Sequence, residues 1–169
     1  INKDNAGIGT PDSMGRAVFI LDAESGDIVH RFTASDVTTI GVTQFPTTDS
    51  LATKVSIMDT DGDGVTDRFY AVDTGGNVWR FDLPDDDRSH WSVFHFAELG
   101  GDTLSDDRRF FGEVSVAPSS FERVEAITVE QNGGDQIITT SSETPFDAVL
   151  VGSGNRASPN GGATQDYLF

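Results

Sequence analysis

The chain of 169 residues contains no cysteine, which excludes disulfide bonds, thiolate metal sites and cysteine nucleophiles. Basic side chains are also scarce: Lys and Arg total 11 against 28 for Asp and Glu, a formal charge of −17. A nucleic acid or an anionic membrane needs a basic face on its partner, so we expect neither to bind. No run approaches the roughly 18 apolar residues of a membrane helix, and we therefore expect no direct membrane insertion.

The two ends of the sequence suggest part of a longer chain. The first residue is Ile1 rather than Met, and residues Asp166–Phe169 read like the start of a β-strand. We expect the sequence to be a piece of a larger protein. In that case a missing targeting signal says nothing about where the protein works.

Short strand-like segments, separated by clusters of turn residues, dominate the sequence. Helical periodicity is nearly absent, and the segments are rich in Val, Ile, Phe and Thr. The pattern predicts an all-β chain with no internal domain boundary. The predicted strands are Ala17–Asp22, Ile28–Thr33, Ala52–Met58, Arg68–Asp73, Val78–Leu83, Ser92–Ala97, Phe110–Ala117, Arg123–Glu130, Gln136–Thr140 and Phe146–Gly152.

Two hairpin-like stretches resemble each other. In residues 17–29 an apolar strand ends in Asp22, and a glycine-containing turn and a second strand follow. Residues 68–79 have the same order around Asp73, 51 positions later. Propeller blades repeat at roughly 40–50 residues, and a closed ring needs about four to eight of them. We therefore predict a β-propeller fragment of about three blades; the alternative is a pair of unrelated hairpins.

The strongest local signal is a loop with sequence DTDGDGVTD. Its carboxylates, Asp59, Asp61, Asp63 and Asp67, fall at positions 1, 3, 5 and 9. Alternate side chains of a tight turn point inward, and Val65 at position 7 can offer its main-chain carbonyl. Calcium is a hard cation that takes six to eight oxygen ligands. Carboxylates packed this closely repel one another unless a cation lies between them.

This loop differs from an EF-hand in two ways. Position 12, where an EF-hand has an acid, is Tyr70, and the flanking segments read as strands rather than helices. We therefore predict an EF-hand-like calcium loop between two strands, with Ca²⁺ held by Asp59, Asp61, Asp63, Asp67 and the Val65 carbonyl. Magnesium fits less well because it prefers to keep its water. A solvated acidic turn is the alternative.

Residues 152–157 match the Gly-x-Gly-x-x-Ala pattern of dinucleotide-binding turns and follow an apolar strand. Such a turn must open a helix whose N-terminus holds the pyrophosphate. Pro159 and the pair Gly161–Gly162 come too soon for that helix. We interpret this stretch as a plain turn.

The stretch Met58–Leu83, MDTDGDGVTDRFYAVDTGGNVWRFDL, closely resembles the signature of PilY-type type IV pilus biogenesis and tip-adhesin proteins. Three further pieces look similar in the same order: Val18–Phe32, Arg108–Phe111 leading to Val116–Pro118, and Val151–Arg156 with Pro159 and Asp166–Tyr167. The resemblance spans most of the chain, from about Arg16 to its end.

The resemblance implies a seven-bladed, quinoprotein-type propeller in the C-terminal half of a large secreted protein, with calcium in the loop of residues 59–67. It also implies passage through the periplasm to the pilus tip at the cell surface. Minor pilins of the tip complex would be its partners, together with a host or surface ligand. The implied roles are pilus extension, adhesion and twitching motility. The sequence contains no Arg-Gly-Asp tripeptide, so integrin-type binding has no support.

We therefore expect residues 1–169 to be part of a single β-propeller domain that works by binding and is not an enzyme. One alternative is a quinone-dependent dehydrogenase propeller, but a cage of four Asp from one loop leaves little room for its cofactor. A second alternative is an integrin-like or lectin-like calcium-binding adhesion propeller, which predicts several such loops. Trp79 shares a strand face with Phe81 and Leu83, and we predict that it packs inside or between blades.

Overall fold

The computed structural model describes residues 8–34, 41–131 and 134–169. The predicted domain of residues 1–169 also includes 1–7, 35–40 and 132–133, which lie outside the described residues. Within the described ranges all regular structure is β-strand, and no helix is long and apolar enough to cross a membrane. The strands are β1 (Ala17–Leu21), β2 (Ile28–Thr33), β3 (Val42–Gln44), β4 (Ser56–Met58), β5 (Arg68–Val72), β6 (Asn77–Asp82), β7 (Ser92–Glu98), β8 (Ser115–Gln131) and β9 (Gly134–Leu150).

The strands form three sheets. Strands β1, β2 and β3 make a three-stranded sheet in which β2 and β3 run parallel. Strands β4 to β7 make an antiparallel four-stranded sheet in chain order, which is the composition of one propeller blade. Strands β8 and β9 pair as a hairpin. Residues through Ser115, together with Leu150–Phe169, form one compact unit, and Val116–Val149 form a second.

The predicted all-β chain is confirmed, but several strand boundaries are wrong. Residues 52–55 lie outside β4, because the ladder to β5 begins only at the pair Ser56 and Tyr70. Residues 110–114 form no strand. Phe110 is fully buried there, and a buried but irregular segment can have the same apolar composition as a strand, which is why a strand is predicted. Of the three segments predicted after residue 122, the first lies within β8 and the other two are joined in β9. Strands β8 and β9 have 17 residues each.

The internal repeat has a structural counterpart in two hairpins, β1–β2 and β5–β6. Asp22 Oδ1 accepts hydrogen bonds from the Glu24 and Ser25 amides at 2.9 and 2.7 Å. Asp73 Oδ1 accepts from the Gly75 and Asn77 amides at 3.0 and 2.9 Å. Each aspartate therefore closes the turn after its strand by satisfying main-chain donors that the ladder leaves over.

Aromatic side chains from both multi-stranded sheets of the first unit form its core. Phe81 of β6 stacks on Phe69 of β5, with ring centroids 4.3 Å apart, and meets Phe32 of β2 edge-on at 4.9 Å. Phe45, just after β3, also packs on Phe81. Alternating residues of β6 face this cluster, as the sequence pattern predicts. Trp79 is 4 % exposed, which confirms that it is a packing residue.

His30 is a buried histidine at the edge of this core. Its Nε2 lies 2.9 Å from Thr43 Oγ1, whereas its buried Nδ1 has no hydrogen-bond partner among the described residues. The ring packs against Phe32 and Trp91 at 4.8 and 5.0 Å. Burial, with a smaller effect of the Arg88 charge, lowers the pKa of His30 below its ordinary 6.5.

We expect this lowered pKa to make the fold less stable in mild acid. Below about pH 6.5 His30 is protonated in the unfolded chain but stays neutral in the folded chain. The free energy of unfolding therefore decreases as the pH is lowered from about 6.5 to the pKa of folded His30. Urea unfolding at pH 7.5 and 5.5 should show a smaller loss for His30→Gln than for the wild type. In His90→Gln the loss should not shrink, because Asp85 raises the pKa of His90 and gives that residue the opposite sign. An equal loss in wild type and His30→Gln would contradict the expectation.

Candidate metal centre

The acidic loop joins two adjacent strands of the four-stranded sheet. β4 ends at Met58 and β5 begins at Arg68, and these two residues are partners in the ladder. The Asp67 amide donates to the Met58 carbonyl at 3.1 Å, which closes the base of the loop. Both ends of the loop of residues 59–67 are therefore held in place by the pairing of β4 with β5.

Two glycines let the chain turn inside the loop. Gly62 and Gly64 have φ values of +83° and +90°, a left-handed conformation that other residues adopt only with strain. Their amides point back to the first carboxylate: Gly62 donates to Asp59 Oδ1 at 2.6 Å and Gly64 to Asp59 Oδ2 at 2.8 Å. These bonds lower the pKa of Asp59, so its carboxylate is ionised at neutral pH.

Asp67 is held in a similar way at the other end of the loop. Its Oδ2 accepts from the Thr60 hydroxyl at 2.5 Å and from the Thr60 amide at 2.7 Å. The hydroxyl bond, followed by the amide bond, lowers the pKa of Asp67. Sequence reasoning missed Thr60. A Thr between the first two acids of such a loop is the signal that would have found it.

Three of the predicted carboxylates come together. One oxygen from each of Asp59, Asp61 and Asp67 lies within 4.8 Å of the others. Calcium contacts oxygens at about 2.3–2.6 Å, so ligands on opposite sides of one ion lie about 4.6–5.2 Å apart. The spacing of the three oxygens therefore fits a single calcium ion.

The other two predicted ligands lie differently. Asp63 is outside this group, and its Oδ1 accepts from the Val65 amide at 2.7 Å. Val65 is 59 % exposed, and its carbonyl stays a predicted ligand. The carboxylate trio of Asp59, Asp61 and Asp67 is thus the part of the site that the fold has already assembled.

Comparison with known proteins adds the family to this geometry. A family model described as the PilY1 beta-propeller domain matches residues 4–141. The chain belongs to this PilY1 beta-propeller family. The match includes β1 to β7, the acidic loop and all of β8, and it confirms both the resemblance and the predicted propeller fold.

One curated relative is a Type IV pilus biogenesis factor PilY1 homolog from Xylella fastidiosa strain Temecula1. It is 31% identical over 103 residues, which is 56% of this chain and 6% of the relative. The chain therefore spans a small part of that protein's length. No solved structure matches the chain.

Proposed function

We propose that this chain is a calcium-binding propeller segment of a type IV pilus biogenesis factor and that it acts by binding rather than catalysis. The observation that carries the calcium proposal is the carboxylate trio, whose three oxygens lie within 4.8 Å of one another between two paired strands. Membership of the PilY1 propeller family, and the name of the relative, support the pilus role.

The ion would join the end of one strand to the start of the next. Asp59 follows β4 directly, and Asp67 precedes β5. Hydrogen bonds from the loop hold the carboxylates of Asp59 and Asp67 in their charged form, and a calcium ion would neutralise the negative charge that these carboxylates bring together. Calcium occupancy is therefore coupled to the geometry of this blade edge without any chemical step.

The same proposal gives the protein a place and partners. It acts in the periplasm and at the cell surface, in the pilus-tip complex with minor pilins, and contributes to adhesion and twitching motility. What supports this is the family and the relative's name. Calcium would then tune how the blade edge engages the pilus machinery.

We expect the chain to bind calcium and Asp61→Asn to weaken that binding by roughly tenfold or more, because one of three converging charges is lost. Isothermal titration calorimetry measures the affinity. Calcium at 100 times its dissociation constant should also stabilise the wild type by about 2.7 kcal/mol, visible as a higher Tm. The matched control is Asp27→Asn, which removes the same charge from an exposed turn of the other hairpin.

Equal affinity in Asp61→Asn and Asp27→Asn would reject the site.

The pilus role has its own test in cells, in which Asp59→Asn and Asp67→Asn are introduced together into the full-length protein. Surface pili and twitching should both fall at unchanged protein level. Normal pili and motility with calcium binding lost would reduce the ion to a structural staple, and quinone-dependent dye reduction by the purified protein would favour the dehydrogenase alternative.

A further inference from the structure

An open cleft of about 460 Å³ has a lining that shares no residue with the acidic loop. Residues 152–156 supply most of its lining, together with residues 111–112, Pro159 and Asp166. We call it the Gly154 cleft. Most of this lining follows residue 141, where the family match ends. It is also the stretch whose glycine pattern imitates a dinucleotide-binding turn.

Three glycines line the cleft, and the fold itself does not require any of them. None of Gly112, Gly152 and Gly154 has a left-handed φ. A Cβ added at Gly112 or Gly154 would meet nothing within 4 Å, and one at Gly152 would reach Leu168 at an ordinary 4.0 Å. What the glycines provide is bare main chain facing open space, which allows a ligand to approach the backbone closely.

Arg156 is the cation of this cleft. Other arginines of this acidic chain are paired with nearby aspartates: Arg80 with Asp82, and Arg109 with Asp107. Arg156 is exposed and has no hydrogen bond or ion pair within the described ranges. A guanidinium is a planar fork of donors that matches a carboxylate with two hydrogen bonds.

The remaining walls supply groups of other kinds. Asn155 Oδ1 already accepts from the Ala157 and Ser158 amides, which fixes the side chain and leaves its NH₂ to donate. Asp166 Oδ1 accepts from the Ser153 hydroxyl at 2.9 Å, so its second oxygen can accept from an N–H group. Phe111 is half-buried and adds an apolar wall.

We propose that the Gly154 cleft binds a peptide carboxylate. Arg156 holds the carboxylate, Asn155 and Asp166 bind the adjoining amide groups, and an apolar side chain lies against Phe111. The bare backbone of the glycines makes room for an extended peptide. The carboxylate can come from a chain end or from a Glu side chain, because both present the same two oxygens to a guanidinium.

The test uses fluorescence anisotropy with three dye-labelled peptides. One is Gly-Gly-Phe with a free carboxylate, the second is its C-terminal amide, and the third is Gly-Glu-Phe amide. We expect the first to bind at least roughly tenfold more tightly than the plain amide. Binding of the Glu peptide would identify a side-chain carboxylate as a ligand, and its failure to bind would restrict the site to chain ends.

Two variants connect the binding to the cleft. Arg156→Gln should weaken binding of the free acid by roughly tenfold or more, whereas Arg31→Gln, another exposed arginine, should leave it unchanged. Gly154→Val should weaken binding while the urea midpoint stays within error, because its side chain enters open space. Equal binding of acid and amide, or full affinity in Arg156→Gln, would overturn the proposal.

Discussion

Trp79→Ala is expected to destabilise the chain by about 3–5 kcal/mol, the usual cost of removing a buried Trp side chain. The indole is 4 % exposed and meets Phe45 edge-on, with ring centroids 4.9 Å apart. On its other side it stacks against His95 at 4.5 Å. The truncation would leave a cavity between the sheet of β4–β7 and the chain after β3, where Phe45 now meets the indole.

The Trp79 indole also makes a polar contact that can be separated from packing. Its Nε1 donates to Asp73 Oδ2 at 2.7 Å, and Asp73 is the residue that closes the β5–β6 turn. Trp79→Phe keeps an aromatic ring but loses this donor together with part of the packed surface of the indole. Since hydrogen bonds to carboxylates contribute more than neutral ones, we expect Trp79→Phe to cost about 1.5–3 kcal/mol.

Urea unfolding followed by circular dichroism measures both costs. The control is Trp91→Phe, because the Trp91 indole also donates a hydrogen bond of 2.7 Å, but to the Asp85 carbonyl in an exposed loop. That variant should cost less than Trp79→Phe. If the two Trp→Phe variants cost the same, the bond to Asp73 adds nothing beyond an ordinary surface contact.

The elements with strong local signals could be predicted from the sequence. Strands β5 and β6 lie within one residue of their predicted limits, since an apolar run, a glycine-containing turn after Asp73 and an alternating run all favour the same hairpin. Strand β3, Val42–Gln44, could not be predicted. It has three residues and exists because it pairs in parallel with β2, a partner that local composition does not reveal.

The β8–β9 hairpin shows the opposite error. Residues 139–144, TTSSET, have the composition of a turn, and the sequence therefore predicts a break between two strands. In the structure β9 runs straight through them. Strand β9 is hydrogen-bonded to β8, and that pairing overrides the local preference.

The candidate metal centre could be predicted in part from the sequence. Because alternate positions of a tight loop face inward, the spacing predicts that Asp59, Asp61 and Asp63 converge and that Asp67 closes the shell; the structure brings together Asp59, Asp61 and Asp67. Asp63 instead accepts a hydrogen bond from the Val65 amide, and it lies between two glycines with left-handed φ values, which the spacing of the acids does not reveal. The Gly154 cleft could not be predicted from the sequence, because the role of a glycine depends on which atoms surround it in the fold.

Gly76→Ala is expected to destabilise the chain by about 2–5 kcal/mol, from two separate causes. The residue has a φ of +86°, where an L side chain costs about 1–2 kcal/mol. An added Cβ would also lie 2.5 Å from Gly100 Cα and 2.8 Å from the Arg108 carbonyl oxygen. Both are main-chain atoms, and the Leu99 amide donates to the Gly76 carbonyl at 2.8 Å, so the neighbouring segment cannot retreat without losing that bond. Relieving such overpacking adds about 1–3 kcal/mol.

The internal repeat supplies the control for this prediction. Gly26 sits in the turn of the β1–β2 hairpin, with a φ of +78° and nothing within 4 Å of an added Cβ. Gly26→Ala should therefore cost only the backbone term, about 1–2 kcal/mol. Urea unfolding of the two variants isolates the contribution of the Gly100 segment as the difference between them. Equal costs would mean that this segment does not press on the β5–β6 turn in solution. A larger cost at Gly76 would show that the second copy of the turn, unlike the first, is sealed by the chain that follows its own sheet.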